Sequence, residues 1–356
     1  MVSKEGCMFV AKGEDYFETM KDDLDVFNIF FESTVVRYAE LACNDFLDDR
    51  CIVLADYCTA DGKLAIDIFK QMIALIRSKE KSKEVMLIFE DKMENDYNKL
   101  LRNVLQDGIL SSNGIFALAS SVSMFNQCLP SASVHFIFSA FGTHYLSKRP
   151  CNIKAGMLTF DADEKEKQTL SAQAAIDWQC FLCHRSKELV EGGYMFLIVP
   201  CKGPWTGFRL MTPTLNSIFN DNIISKKEYT DIMINSYFRD EDELRRPFIE
   251  FTGTNLEIVS LNIVGRTIFK AVDGAIKVED AEKITRIIKT VSCQSLTNNL
   301  DSFRTDAEKE NIAAEFYRRL LPRVLEMTED FKYHIAEIVL KKCRVNELHK
   351  TVCKGK

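Results

Sequence analysis

The stretch CIVLADYCTADG, residues 51–62, decides the fold of this 356-residue chain. It begins with an apolar run, Ile52 to Ala55, that has no alternating polar residues, which is typical of a parallel strand buried on both faces. The run ends at Asp56 and is followed by a short loop and an amphipathic segment. Doubly wound sheets bind ligands outside the carboxyl ends of such strands. The sequence therefore predicts a Rossmann-like sheet with a ligand at this loop.

A second apolar run, Val85 to Phe89, also ends in acidic residues, Glu90 and Asp91. A carboxylate at the end of the second strand can accept hydrogen bonds from both hydroxyls of a ribose. Either run alone is equally well explained as an ordinary strand followed by a solvated acid. Together they favour a cofactor that contains adenosine.

The composition of the loop narrows the choice of cofactor. Residues 57–62 contain one glycine, Gly62, and an acid, Asp61. A dinucleotide needs small residues where a helix amino terminus approaches its pyrophosphate, and an acid there repels phosphate. S-adenosylmethionine carries no phosphate but has a positive sulfonium and an amino group. The loop therefore favours methyl transfer and disfavours a dehydrogenase.

Composition and charge exclude several other classes of protein. The chain is 46% apolar, and its 46 basic and 52 acidic residues give a net charge of −6 without a long basic run. Nucleic-acid binding is therefore disfavoured. No run approaches the roughly 18 apolar residues of a membrane helix, and the first residues lack a long apolar core. We expect no membrane association and a cytoplasmic location.

The twelve cysteines do not form a recognisable metal motif. Cys180 and Cys183 are the only close CxxC pair, and no second pair stands at the spacing of a zinc ribbon. Scattered cysteines in a chain without a secretory signal usually behave as small hydrophobic residues. We expect neither a disulfide framework nor a bound metal.

Strand and helix patterns alternate along most of the chain. Apolar periodicity predicts helices at 63–77, 95–106, 178–189 and 307–325, and strands at 114–120, 134–140, 194–199 and 333–340. This alternation predicts an α/β fold with a largely parallel sheet and helices on both faces. We assign 1–206 to the cofactor-binding core, 207–288 to an inserted helical cap above the sheet edge, and 289–356 to a closing helix and strand.

Several motifs, taken in chain order, point to one family. They are ADYCTADG at 55–62, IFEDKMENDYN at 88–98, SVSMFNQCLP at 121–130, SVHFIFSAFGTHYLSKRP at 133–150, FLCHRSKELVEGGYMFLI at 181–198, and NIISKKEY with SYFRDEDELRRPF at 222–248. In this register they resemble the SABATH methyltransferases of plant type. That family transfers methyl from S-adenosylmethionine to small carboxylic acids and, in some members, to ring nitrogens. The resemblance implies a class I methyltransferase sheet.

The resemblance also implies which residues bind each ligand. Around the cofactor it places Asp56, Cys58 and Thr59 at the methionine part, Asp91 at the ribose, Ser123 and Met124 at the adenine, and Tyr16 near the methyl donor. Lys92 is a further cofactor-binding residue, and Ser139 lies at the boundary between cofactor and acceptor. Around the methyl acceptor it places Asp23, Phe141, His144 and Tyr145, and we add Trp205 as a residue that closes the pocket.

Three positions depart from the family pattern. Cys58 stands where the family usually has glycine, Asp23 where it has glutamine, and Tyr145 where it has tryptophan. The glutamine and tryptophan donate hydrogen bonds to the substrate carboxylate, whereas an ionised aspartate only accepts them, and two carboxylates repel. Either Asp23 lies outside the pocket or the acceptor is not an ordinary carboxylate.

The resemblance therefore implies an S-adenosylmethionine-dependent enzyme that forms methyl esters of a small carboxylic acid, acting as a homodimer. A carboxylate attacks the methyl group directly, so alignment and desolvation matter more than acid–base chemistry and no catalytic side chain is expected. A divalent-ion site is not expected, because Met233 and Ile234 follow Asp231. Two alternatives stay open: N- or O-methylation of a metabolite that is not a carboxylate, and an inactive binding protein that keeps the fold.

Overall fold

The computed structural model describes residues 29–250 and 253–344, which contain one seven-stranded sheet. Its strands are β1 Cys51–Tyr57, β2 Glu84–Glu90, β3 Ile115–Ser120, β4 Val134–Ala140, β5 Leu189–Cys201, β6 Leu256–Phe269 and β7 Phe331–Lys342. Their order across the sheet is β3-β2-β1-β4-β5-β7-β6. The pairs formed among β1 to β5 are parallel, and β7 is antiparallel to both of its neighbours. The predicted α/β fold is confirmed.

Helices cover both faces of this sheet. They are α1 Val36–Cys43, α2 Lys63–Lys79, α3 Tyr97–Asp107, α4 Glu164–Glu188, α5 Met211–Asn220, α6 Lys226–Asp231, α7 Glu241–Glu250, α8 Val278–Asn298 and α9 Asp306–Leu325. The apolar side of α2 explains its packing, since Ile66, Phe69, Met72 and Ile76 are all buried. These residues recur at the spacing of one helix face.

Local chemistry determines where several of these helices begin. α2 follows Gly62, whose φ of +78° suits glycine far better than a residue with a side chain. α4 begins with a capping box, in which Asp163 accepts from the amide of Glu166 and Glu166 accepts from the amide of Asp163. The turn at Gly62 places the short loop between β1 and α2 at the carboxyl edge of the sheet.

The structure differs from the prediction at the end of α4. The sequence pattern places a break at 191–193, whereas β5 already begins at Leu189 and runs through this segment. Leu189 pairs with Val134 and Tyr194 pairs with Phe136, so the extra residues form a bulge. The φ of +79° at Gly192 lies within that bulge. A bulge keeps the strand in the sheet although its local sequence resembles a turn.

The predicted helical cap, 207–288, contains one strand as well as helices. It contains α5, α6, α7 and the start of α8, but β6 also lies within it and pairs with β7 at the sheet edge. Many residues of β6 are only partly buried, because an edge strand has one neighbour and a partly solvated face. Its sequence therefore lacks the continuous apolar run of the central strands.

Several expectations concern features beyond this fold. In residues 29–250 and 253–344, no helix is both long and apolar enough to cross a membrane, and no group of three or more potential metal ligands occurs. Cys180 and Cys183 lie on α4 as free thiols. The homodimer and the cytoplasmic location stay predictions.

Candidate active site

The carboxyl ends of β1, β2 and β4 meet at one edge of the sheet. Tyr57, near the end of β1, pairs with Glu90 on one side and Ser139 on the other. The loop after β1 is then tied to the second strand by its amides. Thr59 N donates to the carbonyl of Glu90 at 3.0 Å, and Ala60 N donates to Oδ2 of Asp91 at 2.8 Å. The two strand ends that the sequence singled out therefore form one site.

The backbone around this site is strained at three positions. Cys58, Ala60 and Phe141 have φ values of 64°, 50° and 58°, in the left-handed region that residues with side chains rarely adopt. All three line the same cavity. Strained backbone of this kind persists where the surrounding structure enforces it, and it concentrates at functional sites.

Cys58 occupies space that a neighbouring glycine leaves free. A Cβ atom added to Gly142 would lie 2.4 Å from Sγ of Cys58, which is closer than any real contact. The same sulfur lies 3.3 Å from Sδ of Met124. The thiol that replaces the family's glycine is therefore accommodated by Gly142 and packs against the segment predicted to lie along the adenine.

Three buried carboxyl groups surround the loop. Burial raises the pKa of Asp56 to about 8, although the Thr59 hydroxyl opposes this shift by favouring the ionised form. Burial also raises the pKa of Asp91 to about 6, despite the backbone amides of Ala60 and Lys92 that bind it. The pKa of Glu90 is raised well above its usual value by burial and then by Asp91. A ligand with positive charge would favour the ionised forms of these groups.

Asp56 should give stability a pH dependence that can be measured. Between its usual pKa of 3.8 and its folded pKa of about 8, the folded protein holds a proton that the unfolded chain has lost. Stability therefore falls as the pH rises through this window. We expect Asp56→Asn, which cannot ionise, to become more stable relative to wild type between pH 5 and pH 8, measured as the difference in Tm without ligand.

The exposed Glu94, in the loop after β2, offers a control for this measurement. Glu94→Gln should keep the pH dependence of the wild type. Parallel Tm curves for wild type and Asp56→Asn over the same range would contradict the assignment of this behaviour to Asp56.

A fully buried ion pair, which the sequence analysis missed, supports the predicted adenine segment. Arg185 on α4 binds Glu188 through Nε and Nη2, at 2.6 and 2.8 Å. Neither side chain is exposed to solvent. The Arg185 guanidinium also donates to the carbonyls of Met124 at 2.8 Å and Asn126 at 2.7 Å. The Arg185 side chain therefore holds the loop after β3 in place through the carbonyls of Met124 and Asn126.

The carboxylate of Glu188 binds the same loop through two of its backbone amides. Its Oε1 accepts from the amides of Cys128 at 2.6 Å and Leu129 at 3.1 Å, and its Oε2 accepts from the hydroxyl of Tyr57 at 2.6 Å. The pair therefore links the loop to the end of β1. The only sequence signal was two opposite charges three residues apart in a helix, which is equally typical of a solvated face.

A cavity of about 930 Å³, partly open to solvent, extends from the loop after β1 to an aromatic wall. Six of the predicted site residues line it: Cys58, Asp91, Phe141, His144, Tyr145 and Trp205. Residues of the 207–288 segment supply part of the opposite wall, including Phe208, Ile234 and Phe238. Two predicted cofactor residues and four predicted acceptor residues thus line one space.

Other predicted residues lie near this cavity without lining it. Asp56, Thr59, Met124 and Ser139 are buried, Lys92 is partly buried, and Ser123 is exposed. Tyr16 and Asp23 lie outside the described residues, so their roles stay predictions.

The aromatic wall of the cavity is formed by the stacked rings of Trp205, Phe238 and Tyr333. Trp205 stacks on Phe238 with ring centroids 4.5 Å apart and on Tyr333 at 5.1 Å. Its indole N–H donates to the carbonyl of Cys201 at 2.8 Å. His144 stacks on Phe238 at 5.8 Å, and burial together with the Arg239 cation lowers its pKa to about 3. The imidazole is therefore neutral near pH 7.

The sheet order with antiparallel β7, together with a cavity at the carboxyl ends of β1 and β2, defines a class I methyltransferase. The chain belongs to the family of SAM-dependent carboxyl methyltransferases, whose model matches residues 29–343. S-adenosylmethionine is accordingly its cofactor.

Individual relatives are distant. The chain is 25% identical to farnesoic acid carboxyl-O-methyltransferase of Arabidopsis thaliana over 68% of its own length and 69% of that protein. It is 25% identical to loganic acid O-methyltransferase of Catharanthus roseus over 41% of its length and 42% of that protein. A solved structure of loganic acid methyltransferase with SAH covers 95% of this chain and 99% of its own, with a TM-score of 0.76 and 17% identity. The last match shows a common fold.

Proposed function

We propose that this protein methylates the carboxyl group of a small-molecule acid. The observation that carries the proposal is the single cavity that joins the cofactor loop, at Cys58 and Asp91, to the aromatic wall at Trp205. A donor bound at one end and an acceptor bound at the other would lie next to each other between mainly apolar walls. Relatives named for farnesoic and loganic acid support an acidic acceptor.

The residues on the cofactor side fit S-adenosylmethionine. Asp91 would accept from the ribose hydroxyls, since two of its lone pairs are taken by the amides of Ala60 and Lys92 and others remain. The nearby carboxyl of Asp56 suits the positive end of the cofactor. Ser139, at the end of β4 beside this loop, has a buried hydroxyl without a partner among the described residues.

Methyl transfer to a carboxylate requires the protein mainly to position the cofactor and the acceptor. The bound cofactor supplies an electrophilic methyl group on a positive sulfur. A carboxylate acceptor bound here would need to lose no proton before it accepted that methyl group. The protein orients the acceptor and excludes water, and the stacked rings of Trp205, Phe238 and Tyr333 make that part of the pocket apolar. We also propose that the helical parts of 207–288 close over the acceptor.

Product chemistry provides a direct test. We expect incubation with S-adenosylmethionine labelled in the methyl group and a mixture of small carboxylic acids to yield labelled products. Mild base should release the label as methanol, because it cleaves methyl esters but not N-methyl groups or ethers. Calorimetry should show binding of S-adenosylmethionine and no comparable binding of a nicotinamide dinucleotide.

Two outcomes would contradict the proposal in different ways. A label that resists base would show an acceptor that is not a carboxylate. Binding of S-adenosylmethionine without transfer to any acid or amine would favour the inactive binding protein.

A further inference from the structure

Two buried polar atoms at the acceptor end of the cavity have no partner. Among residues 29–250 and 253–344, Oγ of Ser236 and Nδ1 of His144 make no hydrogen bond. Both residues line the cavity, and the side chain of Ser236 was not anticipated from the sequence. Buried polar groups are nearly always hydrogen-bonded, so each exception needs a physical explanation. A ligand that provides the missing partner is one such explanation.

The backbone holds these two residues rigidly next to each other. Ser236 and Tyr145 face each other across a short antiparallel bridge. On either side of this bridge, Tyr237 N donates to the carbonyl of His144 at 2.8 Å and Leu146 N donates to the carbonyl of Asn235 at 3.0 Å. The hydroxyl of Thr159 donates to the carbonyl of Ser236 at 2.6 Å. The backbones of Ser236 and His144, the polar pair, are therefore held beside each other before any ligand arrives.

The rest of this end of the cavity is mainly apolar. Its wall is formed by rings and aliphatic side chains: Phe141, Trp205, Phe208, Phe238, Ile287 and Val291. No lysine or arginine lines the cavity within the described part of the chain. The guanidinium of Arg239, whose charge acts on His144, does not line the cavity and donates through its two terminal nitrogens to the carbonyls of Thr143 and Ala174. Only neutral donors are thus available for an anionic group.

We propose that Ser236 and His144 hold the acid head group of an acceptor whose remaining body is mainly hydrocarbon. This inference rests on the proposed carboxyl methylation. The serine hydroxyl and a neutral imidazole N–H would each donate to the acceptor carboxylate. A carboxylate oxygen then forms the new bond to the methyl carbon while the carbon–sulfur bond breaks, and its electron pair leaves the sulfur neutral. No proton is gained or lost.

The apolar wall explains why the body of the acceptor should be hydrocarbon. Hydroxyl groups buried against these rings would lose their hydrogen bonds to water, and few polar side chains of the lining could replace them. An apolar body gains free energy from the same burial. The site therefore selects for one acid group at the polar pair and against further polar groups.

Ser236→Ala tests the head-group contact. Loss of a hydrogen bond to a charged group should raise the acceptor KM by about tenfold to a hundredfold. Affinity for S-adenosylmethionine should be unchanged. The Tm should stay equal or rise, because the removed hydroxyl has no partner in the free protein. A merely structural serine would show the reverse pattern.

Ser292 provides the matched control. Its buried hydroxyl donates to the carbonyl of Ile288 and contacts the hydroxyl of Tyr317 at 2.9 Å. Ser292→Ala should lower the Tm and leave the acceptor KM unchanged. An unchanged acceptor KM in Ser236→Ala, with methylation intact, would overturn the inference.

Matched acids test the nature of the body. We expect kcat/KM to be higher for straight-chain hydrocarbon acids than for polyhydroxylated acids with the same number of carbons, such as hexanoate against gluconate. A preference for the hydroxylated acids would overturn the inference. If no acid is methylated, calorimetry with cofactor-loaded protein separates the two claims: binding of hexanoate that weakens in Ser236→Ala supports the contact although the proposed function fails. Absence of such binding contradicts the contact as well.

Discussion

Arg185→Ala is expected to lower the free energy of unfolding by about 3–5 kcal/mol, the usual cost of removing one partner from a buried ion pair. Glu188 would remain without its counter-ion in a place where its side chain is completely buried. The carbonyls of Met124 and Asn126 would also lose their donor. Chemical denaturation followed by circular dichroism measures this change. Since the loop at 124–129 would lose its anchor, affinity for S-adenosylmethionine should fall too.

A surface pair with the same spacing and bond length serves as the control. Arg318 binds Glu315 through Nε at 2.6 Å, also three residues apart in a helix, but Arg318 is 70% exposed. Arg318→Ala should cause a much smaller change, because Glu315 is partly solvated and keeps its contact with Arg319 at 2.6 Å. Similar destabilisation in both variants would mean that burial of the Arg185–Glu188 pair is not what makes it important.

Asp91→Ala is expected to weaken binding of S-adenosylmethionine by about tenfold to a hundredfold, or roughly 1.5–3 kcal/mol for hydrogen bonds to a charged group. The carboxylate is buried at the end of β2, lines the cavity and also holds the amides of Ala60 and Lys92. Isothermal titration calorimetry measures the affinity. Asp91→Asn should lose less, because its amide oxygen still accepts one of these hydrogen bonds.

Binding to Asp91 should also depend on pH in a defined direction. With a pKa of about 6, the carboxyl is protonated and a poorer acceptor at lower pH, so affinity in the wild type should fall as the pH drops below 6. That dependence should be reduced in Asp91→Asn. Glu94→Ala, which changes an exposed acid three residues away, should bind like the wild type. Unchanged affinity in Asp91→Ala would remove Asp91 from the cofactor site.

The position of the cavity at the ends of β1 and β2 was predictable because the sequence signal for it is local. Buried parallel strands require unbroken apolar runs, and the residues that follow them are placed at the carboxyl edge of the sheet. Asp91 could therefore be assigned from its position after β2, and the loop at 57–62 from its position at the end of β1, whereas the role of Cys58 rests on the family resemblance. Six of the seven strands were located from their patterns. The edge strand β6 was missed, since pairing on one side and partial solvation weaken its pattern.

By itself, the sequence determined the α/β fold, the loop at 57–62 and the class of cofactor, because each depends on neighbouring residues. The tertiary structure alone decided which polar side chains are buried and which distant segments they contact. Glu188 binds Cys128, 60 residues away, and Ser236 faces Tyr145 across a bridge. A charge or hydroxyl in a sequence carries no sign of whether it will be buried, since burial depends on the distant segments that pack against it. The free energy of such a group, and hence its role, is set only after those segments meet.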